Sequence, residues 1–309
     1  MSSQNLGMIY GLLAGALWGV TFVIPKLVPE ASSLLISLIR YSAFGLISIL
    51  TLVYHRTSLG PYLKSKHLLM SCLLALLSNS LYYILVVIGI RLVGVPFGSL
   101  VVGLVPLTLI LFGSKGKLSR AVRESCVLIG IGLLCLNYQV FTTDHDSGVS
   151  IGGKLLGVFL VFLCLGMWTA YGVLNSNYLK AHPEIRGSVW TSLIGMMSFF
   201  TMLLILGFGL AIGINPLEEW GGLHSEIQLR LLFWCLTSGM LATWVAYTLW
   251  NKASQVLSTS LLGQLVVFET ITAIFYDHLI ERAWPDLAIM IAMIFIVGGV
   301  FRGIRESRA

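Results

Sequence analysis

The sequence predicts an all-α integral membrane protein: ten transmembrane helices, arranged as two inverted five-helix repeats around a central cavity. Three observations predict it. Of 309 residues, 57% are hydrophobic and only 10% charged, where an ordinary soluble domain carries about 25% charged residues. Apolar runs close to the ~20 residues that cross ~30 Å of hydrocarbon recur along the whole chain. Lys and Arg alternate in abundance from loop to loop, as the positive-inside rule requires of a polytopic chain.

The spans fall at 6–24, 33–53, 67–89, 95–113, 124–141, 153–175, 188–213, 229–251, 257–279 and 286–304. Pro25 and Pro29 close the first, and the Gly60-Pro61 pair follows the second. The acidic stretch TTDHDSGVS divides the fifth from the sixth, INPLEEWGG the seventh from the eighth, and Pro285 precedes the tenth. Loops are short, so no attached soluble domain is expected. The opening MSSQNLGMIY has no Lys or Arg before its apolar run, which predicts a first span rather than a cleaved signal peptide.

With the N-terminus in the cytoplasm, the inner loops and C-terminus hold thirteen cations: Arg56, Lys64, Lys66, Lys115, Lys117, Arg120, Arg123, Lys180, Arg186, Lys252, Arg302, Arg305 and Arg308. The outer loops hold five: Lys26, Arg91, Lys154, Arg230 and Arg282. Both termini are therefore expected in the cytoplasm. The net charge of +6 belongs to those inner loops and implies a lipid-bilayer partner, with no nucleic-acid partner. The five cysteines lie inside apolar runs without a CxxC pair and read as small core residues.

Ten spans divide into 1–141 and 153–309, joined by a linker at 142–152. The halves resemble one another. A shift of 164 residues places Tyr83 on Tyr247, Gly89 on Ala253 and Pro106 on Thr270. The first spans of the halves also correspond, with Trp18 in LAGALWGVTFV matching Trp168 in LCLGMWTAYGV. Because five is odd, the second copy enters the membrane from the opposite face. Such inverted repeats build transporters with a site near the midplane.

Two charges fall inside spans. Glu269, in GQLVVFETITAIFYDHL, lies ~18 Å up the ninth span from residue 257. Arg40 lies ~12 Å below the outer end of the second span. In a ~30 Å core these depths coincide, and an unpaired charge there costs at least ~2.5–3.5 kcal/mol. Glu269 is read as a substrate or coupling group, and Arg40 as its partner or an anion anchor. A static ion pair, or snorkelling of Arg40 to the outer surface, is the structural alternative. Asp277 and His278 read as interfacial. Trp18, Tyr83, Trp168, Tyr171, Trp244 and Tyr247 lie within spans and are expected to line the cavity, with Asn79 and Gln264; helix packing is the favoured alternative for Gln264. Asn251 is expected to end the eighth span. Gly7, Gly11 and Gly15 recur every four residues and predict a close helix crossing. Phosphate-loop, zinc-helix and nucleophile-elbow motifs are absent, so no cofactor, metal or catalytic residue is expected and an enzyme is disfavoured.

Ten spans in two sets of five, an early LWG, MWTAYGVLNSNYL opening the second half and AYTLWNKAS leading into the ninth span together resemble the drug/metabolite transporter superfamily. The resemblance is to its EamA-type family, among which aromatic amino acid exporters are similar, and covers nearly the whole chain. It implies a ten-helix basket with a central cavity in the bacterial inner membrane. It also implies export of an amino acid or another small metabolite; the function expected of this chain is a secondary transporter of such a substrate by alternating access, with protons as a candidate coupling partner. By match it puts Trp18, Tyr83, Trp168 and Tyr247 on spans near the cavity. The chain departs from the family at the place matching Pro106, where a proline is common and Phe268-Glu269-Thr270 stands here. The alternative function is a non-transporting membrane scaffold or assembly protein of the same fold.

Overall fold

The computed structural model describes all residues except 1, 57–58, 94–97, 99–100, 115–117, 143–148, 283, 286 and 308–309. Lys115, Lys117, Arg308, most of the 142–152 linker and part of the start of the fourth span thus lie outside the described residues. The chain folds as helices α1 (Ser3–Leu27), α2 (Ser33–Tyr54), α3 (Ser65–Ser78), α4 (Ser80–Val93), α5 (Val105–Gly113), α6 (Arg120–Thr142) and α7 (Ile151–Ala181). There follow α8 (Gly187–Ala211), the short α9 (Pro216–Gly222), α10 (Ser225–Ser238), a π turn (Gly239–Val245), α11 (Ala246–Val256), α12 (Thr259–Val266), α13 (Phe268–Glu281) and α14 (Leu287–Ser307). Eight stretches are long and apolar enough to cross a membrane. They are Ser3–Leu27, Leu34–Tyr54, Ser65–Val93, Ile151–Ala181, Gly187–Ala211, Ser225–Val256, Thr259–Glu281 and Leu287–Ile304; the apolar helix Val101–Gly113 is shorter.

Helix starts follow the capping residues. Ser2, Ser32, Ser150 and Ser258 each accept a backbone N–H three residues on. The first helix runs through Pro25 to Leu27 rather than stopping before it. A proline within a turn of a helix end removes one hydrogen bond without splitting the body. The stretch INPLEEWGG is partly helical: Asn215 accepts from Leu217 N and caps α9.

The bundle is held by close crossings at small residues. Along α1, an added Cβ on Gly7 would meet Val256 and Leu257, on Gly11 Leu265, on Gly15 the backbone of Glu269, and on Gly19 Thr272. The predicted stripe thus reaches one turn further than expected and seats α1 on α11, α12 and α13. Elsewhere α2 packs on α8, α4 on α7, α5 on α12 and α6 on α14. Without water to drive burial inside a bilayer, such close backbone approach is the main source of helix association.

One end of the bundle is tied by polar contacts. Lys26 at the end of α1 reaches Asp277 and, at 2.6 Å, Glu281, one turn apart on α13. Asp277, expected to be interfacial, is thus an ion-pair partner. Arg230 of α10 donates to Glu30 at 2.5 Å, and Glu219 accepts from Ser32 N and Oγ, both at 2.5 Å. The Glu30 carboxyl is held below the usual carboxylate range by its own backbone N–H and then by Arg230, so this tie persists into mild acid. The groups are solvent-exposed, and such pairs contribute about 0–1 kcal/mol each. Lys26→Ala is accordingly expected to lower the melting temperature by no more than a few degrees, less in high salt. A loss of folded protein in a detergent melting curve would contradict this.

Candidate functional site

Among the described residues, helices are interrupted at four places within the bundle. The third span breaks at Asn79, between α3 and α4. The eighth widens into the π turn Gly239–Val245. The helix Val101–Gly113 is interrupted at Leu104. The ninth span breaks at Val267, between α12 and α13. Irregular backbone inside a bundle needs polar neighbours, and side-chain bonds gather at two of these places. Thr243 Oγ1 donates to the Ser238 carbonyl five residues back (3.1 Å). Asn79 Nδ2 donates to Ser198 Oγ (2.9 Å), and Asn79 Oδ1 accepts from Tyr247 OH (3.0 Å).

Arg40 is fixed by the π turn. Its Nε donates to Thr243 Oγ1 at 2.9 Å, its guanidinium stands 5.5 Å from the Tyr41 ring centre, and Gly239 packs directly on its carbonyl oxygen. Glu269 lies in the first turn of α13, two residues past the break at Val267. Its backbone N–H faces Gly15, which puts it level with Trp18 three residues further along α1. No ion pair joins Arg40 and Glu269 among the described residues. Of the two roles expected for Arg40, partner of Glu269 or anion anchor, the described contacts show the Thr243 hydroxyl as its hydrogen-bond partner. The Glu269 carboxylate is half-buried and receives no hydrogen bond or ion pair from the described residues.

The aromatics divide into two neighbouring groups. Trp18 meets Trp168 (6.2 Å between ring centres), Tyr247 (5.6 Å) and Trp250 (5.2 Å). Tyr171 meets Trp168 (5.5 Å) and Tyr247 (5.9 Å). Tyr83 and Trp244 instead pack with Tyr41, Phe44 and Met202, and Phe44 links the groups at 5.8 Å from Tyr247. The rings were expected around an open cavity, yet they rest on one another. Edge-on pairs gain about 0.5–1.5 kcal/mol each beyond area, which favours the packed arrangement. Within the closed cluster, Tyr171 OH and Trp250 Nε1 are buried without a partner.

One amide follows its favoured reading and one departs from expectation. Gln264 lies against Gly303 of α14, where an added Cβ would sit 2.2 Å from its amide carbon, a contact that supports the helix-packing reading. Asn251 does not end its span, since α11 continues to Val256. It is fully buried, accepts from Asn175 Nδ2 and donates to Thr191 Oγ1, both at 2.8 Å, while Trp190 Nε1 donates to Asn175 Oδ1 at 2.8 Å. This network joins α7, α8 and α11. Removing Asn251 orphans two buried groups at about 1–3 kcal/mol each in general, less inside membranes. Asn251→Ala is expected to destabilise by about 2 kcal/mol, read as a lower detergent melting temperature; an unchanged one would show that the network is not structural. Trp250 and Thr243 escaped notice in the sequence, although Trp250 is three residues past Tyr247 on the same helix face.

Apolar spans packed around interrupted helices, with an acid and a base held at the interruptions, define a multi-span membrane protein of transporter build. The chain belongs to the EamA-like transporter family, within the drug/metabolite transporter superfamily, matching it over residues 5–138 and 155–302. It is similar to inner membrane protein YtfF of Escherichia coli (strain K12), with 29% identity over 323 residues covering 97% of this chain and 95% of that protein. A protein of known crystal structure aligns over 96% of this chain and 95% of its own, with a TM-score of 0.73 and 16% identity, a likeness of fold alone.

Proposed function

We propose that this chain is a secondary transporter of the bacterial inner membrane that exports a small polar metabolite, such as an amino acid, by alternating access coupled to protons at Glu269. The observation that carries the reading is the Glu269 carboxylate: half-buried beside a helix break, with no partner from the described bundle. Ionised and unpaired at the membrane centre, it costs at least ~2.5–3.5 kcal/mol. Either a proton or the ammonium group of a substrate relieves that cost, and both compete for one carboxylate. Competition of this kind exchanges proton for substrate. Arg40, held at one nitrogen by Thr243, keeps N–H donors for the substrate's anionic end. Tyr171 OH and Trp250 Nε1 supply further donors once the rings part.

The reading includes ten spans in two inverted repeats, and the positions of the interruptions support that arrangement. Asn79 and Thr243 are 164 residues apart, the shift that aligns the halves, and the interruptions at Leu104 and Val267 are 163 apart, within one residue of that shift. Interrupted helices at corresponding places in two halves are the strongest pointer to a transport site. The packing of α2 on α8, of α5 on α12 and of α6 on α14 pairs three spans of the first half with their counterparts, as a two-fold axis in the membrane plane requires. The termini are assigned to the cytoplasm by the loop cations.

The test is counterflow in proteoliposomes. Protein is reconstituted, loaded with each member of an unlabelled amino-acid and metabolite panel, and exposed to the labelled compound. Exchange above protein-free vesicles is expected for at least one amino acid. No exchange for any compound, with Glu269→Gln and Arg40→Ala altering abundance alone, would favour the scaffold role.

A further inference from the structure

A second site lies at the far side of the α6–α14 pair, away from the aromatic cluster. A groove of about 580 Å3 is lined by Arg120, Arg123, Glu124, Val127, Leu128 and Arg302. Its charge is three cations against one carboxylate. Glu124 accepts from Arg120 Nε at 2.9 Å and from Arg302 Nε at 2.7 Å, which fixes both guanidinium groups while engaging only one of the five N–H donors of each. Arg123 is exposed and makes no ion pair among the described residues.

The floor beneath is apolar and continuous with the side of the bundle. Val127, Ile131 and Leu134 are 61%, 37% and 58% exposed and lie at i, i+4 and i+7, one stripe of α6 running from the arginines along the helix. The walls are rigid. Ser125 Oγ donates to the Gly299 carbonyl at 2.7 Å, and Gly132 and Gly299 let α6 and α14 touch at backbone distance.

We propose that this groove binds one anionic phospholipid, with its phosphate on Arg120, Arg123 and Arg302 and an acyl chain along Val127, Ile131 and Leu134. Fixed arginine forks match phosphate oxygens, and basic pockets between spans on the cytoplasmic side suit anionic head groups. Loop cations place these arginines on that side. A free phosphate would use the arginines and leave the apolar stripe uncovered, so a lipid fits both halves of the groove.

Native mass spectrometry of the purified protein tests this, with phosphatidylglycerol or phosphatidylcholine of equal chain length added and retained lipid counted. Wild type is expected to hold one phosphatidylglycerol in preference to phosphatidylcholine. Arg123→Gln, which breaks no contact of the bundle, is expected to weaken that binding about five-fold, the factor for about 1 kcal/mol per basic residue near an anionic head group. Arg123→Gln with Arg302→Gln is expected to abolish the preference. Val127→Asp, leaving all three arginines, should weaken phosphatidylglycerol as well. Equal retention of both lipids by wild type, or an unchanged preference in Arg123→Gln, would overturn the proposal. So would displacement of the lipid by millimolar glycerol phosphate, or a Val127→Asp protein that binds normally, since either means a site for the phosphate alone.

Discussion

Glu269→Gln is expected to give a protein at least as abundant and heat-stable as wild type that no longer accumulates substrate against a gradient. The first half follows from the surroundings of the carboxylate. It takes no hydrogen bond or ion pair from the described residues, so exchanging it for an amide breaks nothing. It also removes the cost of an unpaired mid-membrane charge, at least ~2.5–3.5 kcal/mol when ionised. The second half follows from proton exchange. One proton moving down one pH unit supplies about 1.36 kcal/mol, enough for a ten-fold concentration ratio; glutamine cannot carry it, and the ratio falls to one. Melting curves and accumulation assays on the same preparation separate the effects. Loss of stability together with transport would make Glu269 a structural residue.

Gly263→Val is expected to produce the largest loss of stability of any single substitution considered. An added Cβ at Gly263 would meet Ile110 N, Leu109 Cβ and Pro106 O, each at 2.9 Å, and two of these are backbone atoms. One turn beyond, Gly113 faces Ser260 N at 2.7 Å and the Thr259 carbonyl carbon at 2.8 Å in the same sense. The crossing of α5 and α12 is therefore closed at two glycines, and no side chain can swing aside. Forcing the helices apart costs about 3 kcal/mol or more, a drop of roughly 6–12 °C in melting temperature. Gly166→Ala is the control: no atom lies within 4 Å of its added Cβ, and relief of glycine's helix penalty predicts about 0.5–1 kcal/mol of gain. A Gly263→Val protein that melts like wild type would mean that this crossing does not hold the bundle.

Much of the bundle was legible in the sequence because the bilayer leaves few choices. Length and hydropathy mark spans, and small residues at every fourth position mark a crossing, as the Gly7–Gly11–Gly15 stripe does without naming the helices it meets. The in-span charges and most of the central aromatics were also visible, since each is costly or bulky in lipid and stands out there. The interruptions were not. LVVFET carries no glycine or proline to announce the break at Val267, and the π turn at Gly239–Val245 arises from the fit of α2 against Gly239 and from the bond between Arg40 and Thr243, both long-range. Asn251 misled for a related reason: a polar residue followed by Lys252 reads as the end of a span, whereas Asn175 and Thr191, distant in sequence, make it a core residue. Lys26 and Asp277 are 251 positions apart, so their meeting also waits on the fold.

The most direct test of the central claim is accumulation of a labelled substrate, found by counterflow, in proteoliposomes with and without an imposed pH gradient, for wild type and Glu269→Gln side by side. The account predicts gradient-driven accumulation by wild type, about ten-fold per pH unit for one proton, and none by the variant. Flux that ignores the gradient and survives Glu269→Gln would contradict it, leaving a facilitator in which the glutamate has no part in coupling.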